Sequence, residues 1–182
     1  VSGCASNNPH KNSIVLIDGG NGLENFNRIG DANWQVTEND IQADQSKTTY
    51  AYLVTKSPYK NFRLRVEFWT SDDANSGVFF RCKDPQNITA DNCYEANIFD
   101  QRPDPSYGTG GIVLIAKSPN PMPKAGGKWN TYEITAKGSQ LTLMLNGVST
   151  VDIKDSKLAQ GYIALQWGSG MVKFRRVEIQ PL

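Results

Sequence analysis

Short runs of alternating apolar and polar residues, separated by turn residues, dominate this chain, and helical periodicity is scarce. Residues 63–69 alternate most clearly, with Leu64 and Val66 on the face opposite Arg65 and Glu67. The other segments with strand character are 33–37, 49–55, 77–82, 94–99, 129–137, 140–145, 148–153, 162–167 and 171–179. Strands without intervening helices predict an all-β fold of two antiparallel sheets packed face to face. We expect a jelly-roll sandwich rather than a closed barrel, because the chain lacks a repeated hairpin unit.

Two local signals fix details of the C-terminal strands. Asn146 and Gly147 both tolerate the positive φ of a type I′ turn, so they predict a tight hairpin. In the last strand the apolar phase changes between Phe174 and Val177, which predicts a β-bulge near Arg175.

Charged, amide and aromatic side chains collect on the polar face of three strands that we expect to be neighbours. The charged and amide residues are Arg65, Glu67, Arg81, Glu95 and Asn97, and the aromatic residues among them are Trp69, Phe79 and Phe99. Aromatic rings pack on the apolar face of a sugar, and fixed polar groups bind its hydroxyls. The pattern indicates a carbohydrate site, with a salt-bridged face without a ligand as the alternative.

Composition limits the class of protein. The 182 residues, 38% hydrophobic and 20% charged, fit one globular domain, and we expect a tether at residues 1–13 followed by one β-sandwich domain at 14–182. The net charge of +1 argues against nucleic acid as a partner. No apolar stretch approaches the roughly 20 residues needed to cross a bilayer.

The three cysteines divide into a pair and a single residue. Cys82 and Cys93 bracket a polar loop, so they predict a disulfide, with two free thiols as the alternative. Cys4 follows small residues at positions 1–3 that resemble the end of a bacterial lipobox, which predicts lipidation, with a chance match as the alternative. Both features indicate an extracytoplasmic location, with membrane contact only through a lipid anchor.

The residue inventory excludes several kinds of chemistry. His10 is the only histidine and lies in the predicted tether, which argues against a Ser-His-Asp triad. The predicted disulfide between Cys82 and Cys93 argues against a zinc site of histidine and cysteine. A divalent cation bound by oxygen atoms of Asp100 or Asp104 stays open as a cofactor, with an ordinary turn rich in Asp and Pro as the alternative. Catalysis would then depend on carboxylates, arginine, lysine and tyrosine.

Several segments, in order, resemble the 3-keto-disaccharide hydrolase domain family. They are 65–69, 75–81, 94–100, 107–110, 128–134, 145–148, 161–166 and 172–175, together with an opening at 16–20 through Trp34. The resemblance implies a concanavalin-like jelly roll, an extracytoplasmic location and action on an oxidised oligosaccharide or glycoside. Residues 101–123 depart from the family pattern, and we expect them to line the mouth of the site.

The resemblance also implies roles for particular residues. A carbonyl at C3 of a sugar acidifies the C2 proton, so the chemistry needs a base, for which Glu95 and Glu67 are the candidates, and a group that stabilises the enolate, for which Arg81 is the candidate. The candidate substrate-binding residues are Asn97, Gln166, Tyr107, Trp129, Arg65 and Asp100. For Trp129, a place in the core is the alternative.

Three other functions stay open. Glu67 and Glu95 could hydrolyse a glycosidic bond directly, which would require the two carboxylates to lie about 5–10 Å apart. The domain could bind carbohydrate without catalysis. It could also be a structural or adhesive envelope lipoprotein, which predicts a salt-bridged face without a groove.

Overall fold

The computed structural model describes residues 12–182, which form thirteen β-strands, two short 3₁₀ helices and no α-helix. The strands are β1 (Ile14–Asp18), β2 (Phe26–Ile29), β3 (Gln35–Val36), β4 (Ile41–Ala43), β5 (Ala51–Thr55), β6 (Phe62–Thr70), β7 (Ser76–Cys82), β8 (Tyr94–Ile98), β9 (Trp129–Lys137), β10 (Gln140–Leu145), β11 (Val148–Lys154), β12 (Tyr162–Trp167) and β13 (Val172–Pro181). The 3₁₀ helices are Leu23–Asn25 and Pro105–Tyr107. The predicted lipidation of Cys4 and most of the predicted tether lie outside the described residues.

The strands form two antiparallel sheets, which confirms the predicted fold class. The eight-stranded sheet has the order β11-β10-β9-β6-β13-β4-β3, with β1 also paired to β13. The five-stranded sheet has the order β2-β5-β12-β7-β8. In the described part of the chain, no helix has the length and apolar character needed to span a membrane.

The main core lies between the two sheets. It is formed by the apolar residues that alternate with polar ones along the strands. In β6 every second residue, including Leu64, Val66 and Phe68, is almost fully buried, while the residues between them are exposed or half-buried. The rings of Phe80 and Tyr132 enter the same core from β7 and β9. Burying each such side chain stabilises the fold by about 1.5–3 kcal/mol, so the sandwich is held chiefly by these inward faces.

Two local predictions are confirmed. Leu145 pairs with Val148 across the turn, and Asn146 and Gly147 have φ values of 52° and 81°, as a type I′ hairpin requires. In β13 the register shifts between residues 174 and 176, which is the predicted bulge.

The predicted strand neighbours are partly wrong. The strands β7 and β8 pair in the five-stranded sheet, but β6 belongs to the eight-stranded sheet. Residues 71–75 carry the chain from one sheet to the other instead of forming a hairpin. Alternation shows which side of a strand is buried, but it does not show to which sheet the strand belongs.

A second, smaller apolar cluster covers part of the outer face of the five-stranded sheet. Its buried members are Tyr52, Val54, Phe79, Cys82, Ile88, Cys93 and Ala164. The predicted disulfide between Cys82 and Cys93 is present, and it ties down the loop 83–92. Because Ile88 of this loop packs into the cluster, the loop lies against the outer face of the sheet.

Candidate functional site

A groove of about 360 Å³ crosses the outer face of the five-stranded sheet beside this cluster. We call it the Glu95 groove. Its lining comes from β5, β7, β8 and β12, from the disulfide-bonded loop and from the segments that follow β8. The lining residues are Tyr50, Tyr52, Asn75, Phe79, Ile88, Thr89, Ala90, Glu95, Asn97, Phe99, Arg102, Val113 and Gln166.

Glu95 is the carboxylate of the groove, and its environment makes it a proton acceptor near neutral pH. Its side chain lies beside Gly77 of the neighbouring strand, where an added Cβ would come within 3.3 Å of Glu95 Oε1. Burial raises the pKa of Glu95 to about 7, and the nearby charge of Arg102 opposes that rise. A carboxylate with such a pKa is suited to general-base catalysis at physiological pH.

Two amide side chains beneath the groove present oxygen atoms without a partner. Asn97 is 2% exposed, and its Nδ2 donates to the carbonyl oxygen of Tyr107 at 2.7 Å, which leaves Oδ1 unpaired. Gln166 is 4% exposed, and its Nε2 lies 3.5 Å from the hydroxyl of Tyr52, which leaves Oε1 unpaired. Buried polar atoms normally have hydrogen-bond partners, so these two oxygen atoms are acceptors in the groove lining that a water molecule or a ligand hydroxyl would satisfy.

Aromatic rings form the apolar part of the groove. The rings of Tyr52 and Phe79 meet edge to face, with their centroids 5.5 Å apart. Burial raises the pKa of Tyr52 to about 12, with the charge of Glu95 adding to the rise, so the phenol stays protonated and able to donate. The groove therefore offers ring faces together with fixed donors and acceptors.

Arg102 is the single cation among the lining residues of the groove. It follows β8, and its Nη1 donates to the carbonyl oxygen of Asp104 at 2.6 Å. The same nitrogen lies 3.6 Å from the Asp104 carboxylate. Arg102 and Glu95 line the same groove, and the positive charge of Arg102 lowers the pKa of Glu95.

Three residues of the predicted site lie on the opposite side of the molecule. Glu67, Arg65 and Trp129 lie on the outer face of the eight-stranded sheet. There Glu67 Oε1 lies 3.1 Å from Arg175 Nε, and the Arg175 guanidinium lies 4.2 Å from the ring centroid of Trp129. The expectation that Glu67 and Glu95 share one hollow is wrong, because their strands are in different sheets. Trp129 is also not a core residue, since it is only half-buried on this face.

Arg81 is fully buried and does not reach the groove, so its predicted place there is also wrong. It has a φ of 52° and lies where β7 slips in register against β12. This bulge turns its guanidinium toward three carbonyl oxygens, those of Lys60, Gly138 and Leu158, at 2.7–3.1 Å. Arg81 therefore holds together three loops, which contain Lys60, Gly138 and Leu158.

Asp100 and Tyr107 support the groove from behind rather than line it. The carboxylate of Asp100 accepts from the hydroxyl of Thr109 and from the backbone N–H groups of Ala125 and Gly126 at 2.7–3.1 Å. Tyr107 contributes its carbonyl oxygen, which orients Asn97. Within residues 12–182, His, Cys, Asp and Glu side chains form no group of three or more that could hold a metal ion.

Sequence patterns missed Tyr52 and Arg102. Tyr52 lies in a segment that was predicted as a strand, but all five residues of β5 are buried, so no polar face marked it. Arg102 lies in an irregular segment, where no periodicity shows which way a side chain points. The sequence did predict that residues 101–123 line the mouth of the site, and Arg102 and Val113 come from this segment.

Residues 12–180 match the profile of the 3-keto-alpha-glucoside-1,2-lyase-like domain, which confirms the resemblance seen in the sequence. The chain belongs to this family. Membership in the 3-keto-alpha-glucoside-1,2-lyase-like family supports a carbohydrate-related function. Comparison with curated proteins gives no match.

Solved structures with the same fold include proteins linked to carbohydrates. Two candidate glycosyl hydrolases from Parabacteroides distasonis ATCC 8503 superpose with TM-scores of 0.82 and 0.75, at 16% and 23% identity. The first covers 99% of this chain and 98% of its own, and the second 93% and 99%. The carbohydrate-binding module CBM66 from Bacillus subtilis has a TM-score of 0.66 at 15% identity, covering 90% of this chain and 96% of its own. At these identities the likeness establishes the fold.

Proposed function

We propose that the Glu95 groove is the active site of an enzyme that cleaves 3-keto-α-glucosides by removing the C2 proton. The observation that carries this proposal is the meeting of Glu95, whose pKa is about 7, with two unpaired buried amide oxygens in one groove. Family membership agrees with this chemistry. The disulfide favours an oxidising, extracytoplasmic compartment as the place of action.

The reaction follows from the acidity of the substrate. The C3 carbonyl acidifies the C2 proton, and a base that takes this proton leaves an enolate across C2, C3 and the carbonyl oxygen. The enolate collapses to restore the carbonyl, forms a C1–C2 double bond and breaks the bond from C1 to the glycosidic oxygen. The leaving oxygen takes up a proton, so the products are an unsaturated keto sugar and an alcohol. Addition of water to the double bond then gives the net result of hydrolysis.

Each step has a candidate residue in the groove. Glu95 takes the C2 proton, and Arg102 stabilises the charge that develops on the enolate oxygen. The oxygen atoms of Asn97 and Gln166 accept hydrogen bonds from sugar hydroxyls, so bound substrate satisfies both amides. Tyr52, which stays protonated, donates a hydrogen bond to a substrate oxygen. Arg102 takes the role of enolate stabiliser, for which the sequence suggested Arg81.

The decisive experiment compares two carboxylate variants on a 3-keto-α-glucoside such as 3-keto-trehalose. Glu95→Gln removes the base, so we expect turnover to fall about 10²- to 10⁴-fold while the fold is kept. Glu67→Gln is the matched control, because Glu67 lies on the opposite face, and we expect its turnover to stay within about twofold of wild type. Equal rates in wild type and Glu95→Gln would overturn the assignment of the base.

A binding module without catalysis is the second candidate, and the same unpaired amides favour it. Asn97 and Gln166 would bind hydroxyls of an unoxidised glycan equally well, without any need for a base. Calorimetric titration against a panel of neutral glycans, paired with a product assay on the 3-keto substrate, separates the two. Saturable binding of unoxidised glycans with no product would establish the binding module.

A further inference from the structure

A second cavity, of about 720 Å³, lies between the segments 100–106 and 117–124 beyond the edge of the five-stranded sheet. We call it the loop cavity. Arg102 lines both the Glu95 groove and the loop cavity, so a ligand that extends past Arg102 out of the groove reaches this space. The loop cavity is therefore placed to hold the part of a substrate that the groove does not hold.

The shape of the loop cavity is fixed by its own chain. Its walls include four prolines, whose rings fix φ and restrict the backbone: Pro103, Pro105, Pro119 and Pro121. The backbone N–H of Ser118 donates to the carbonyl oxygen of Ser106 at 2.7 Å, which ties the two segments together. A cavity with such walls loses little conformational entropy when it binds a ligand.

The charges around the loop cavity favour an anion. Its lining includes three cations: Arg102, Lys117 and Lys124. The carboxylate of Asp100, which also lines it, is already occupied by the backbone N–H groups of Ala125 and Gly126. The neighbouring Asp104 pairs with Arg102 and accepts from the backbone N–H of Ser106. Lys124 Nζ donates to the backbone carbonyl oxygen of Asp100 at 3.0 Å, which holds this ammonium at the cavity with further donors to spare. Lys117 and Lys124 are therefore the groups that would meet an incoming anion.

We propose that the loop cavity is a second sugar subsite that binds the leaving half of the substrate and prefers a ring carrying a carboxylate or a sulfate. This inference rests on the proposed function, because the ring in the loop cavity is joined to the ring in the Glu95 groove. It adds a substrate class, an acidic disaccharide or glycoside, to the reaction. Arg102 marks the passage between the two rings.

Calorimetric titration of the Glu95→Gln variant tests the second sugar subsite, because this variant should bind substrate without turning it over. The probes are 3-keto-trehalose and two matched compounds with a carboxylate or a sulfate at C6 of the second ring. At low salt we expect an acidic probe to bind about two- to tenfold more tightly than the neutral one. At about 0.5 M salt the preference should shrink, because screening weakens exposed charge pairs.

A double lysine variant tests whether the loop cavity is the source of the preference for acidic probes. Introducing Lys117→Gln and Lys124→Gln into the Glu95→Gln variant should remove the preference, so that the acidic probes bind no more tightly than neutral 3-keto-trehalose. Lys137→Gln with Lys154→Gln is the control, because both lysines are exposed, lie on the eight-stranded sheet and change the net charge equally. The preferred anion, carboxylate or sulfate, identifies the group that the cavity accepts.

The outcomes separate this inference from the proposed function. Equal affinity for all three probes, or a preference that survives the loss of both Lys117 and Lys124, would overturn the second subsite and leave the groove as the active site. Failure of all three probes to bind would overturn both. A preference lost only in the Lys117 and Lys124 variant would support the subsite.

Discussion

Glu95, a half-buried carboxylate on β8, is the residue on which the proposed site depends most. The alternation of β8 places Glu95 and Asn97 on one side, and this pair was visible in the sequence because no bulge interrupts the strand. The raised pKa of Glu95 was not visible, because it depends on burial by other strands and on the disulfide-bonded loop. Sequence patterns thus predict which side chains share a face, and the tertiary structure decides their chemistry.

The raised pKa of Glu95 predicts the pH profile of the proposed reaction. A general base acts only when deprotonated, so kcat/KM on a 3-keto-α-glucoside should rise with pH up to about 7 and level off above it. Arg102 holds that pKa down, so Arg102→Met should move the inflection to higher pH, whereas Arg63→Met on the opposite face should not. A wild-type profile that stays flat between about pH 5 and 8 would contradict this role for Glu95.

Arg81 is the residue whose position the alternation of apolar and polar residues predicted wrongly. The bulge between β7 and β12 breaks the period of two, so a residue that should share a face with Phe79 is buried instead among backbone carbonyls. No pattern of apolar and polar positions around residue 81 marks that bulge, because its neighbours in β7 are buried on both faces.

We therefore predict a structural effect for Arg81→Met. The substitution leaves the carbonyl oxygens of Lys60, Gly138 and Leu158 without their charged donor. The free energy of unfolding, measured by denaturant titration, should fall by about 3 kcal/mol or more. Arg63→Met, at an exposed position, should change it by less than about 0.5 kcal/mol. Unchanged stability together with lost turnover would instead make Arg81 a catalytic residue.

Among the elements, hairpins were predictable and crossings between sheets were not. The turn at Asn146 and Gly147 is encoded by two adjacent residues that adopt positive φ. The crossing at residues 71–75, by contrast, has the composition of an ordinary turn, and the next strand alternates just as a hairpin partner would. This is why Glu67 was expected beside Glu95 although the two strands are in different sheets.

The disulfide-bonded loop contributes both to the stability of the fold and to the shape of the Glu95 groove. It closes over the outer face of the five-stranded sheet, and Ile88, Thr89 and Ala90 form one wall of the Glu95 groove. The loop thus contributes both to the second apolar cluster and to the burial of the groove.

Replacing Cys82 and Cys93 together by alanine should therefore have two effects. Stability should fall by about 2–3 kcal/mol, because the unfolded chain loses a constraint. Affinity for a 3-keto-α-glucoside should also fall, because the wall of the groove is no longer held in place. Denaturant titration and calorimetry measure the two separately, and an unchanged affinity in the folded variant would show that the loop does not shape the site.

The two sheets of the sandwich expose two different outer faces. The eight-stranded sheet presents aromatic rings covered by cations, Arg175 over Trp129 and Lys173 over Trp69, with Glu67 paired to Arg175. These groups already satisfy one another. The five-stranded sheet presents a groove in which two amide oxygens have no partner, and this difference is the reason we propose the ligand site on that face.

A crystal structure of the Glu95→Gln variant with a 3-keto-α-glucoside tests this assignment most directly. The account predicts a sugar ring in the Glu95 groove with hydroxyls donating to Asn97 Oδ1 and Gln166 Oε1, and with the C2 atom facing residue 95. A sugar bound instead on the outer face of the eight-stranded sheet, beside Trp129 and Arg175, would contradict it.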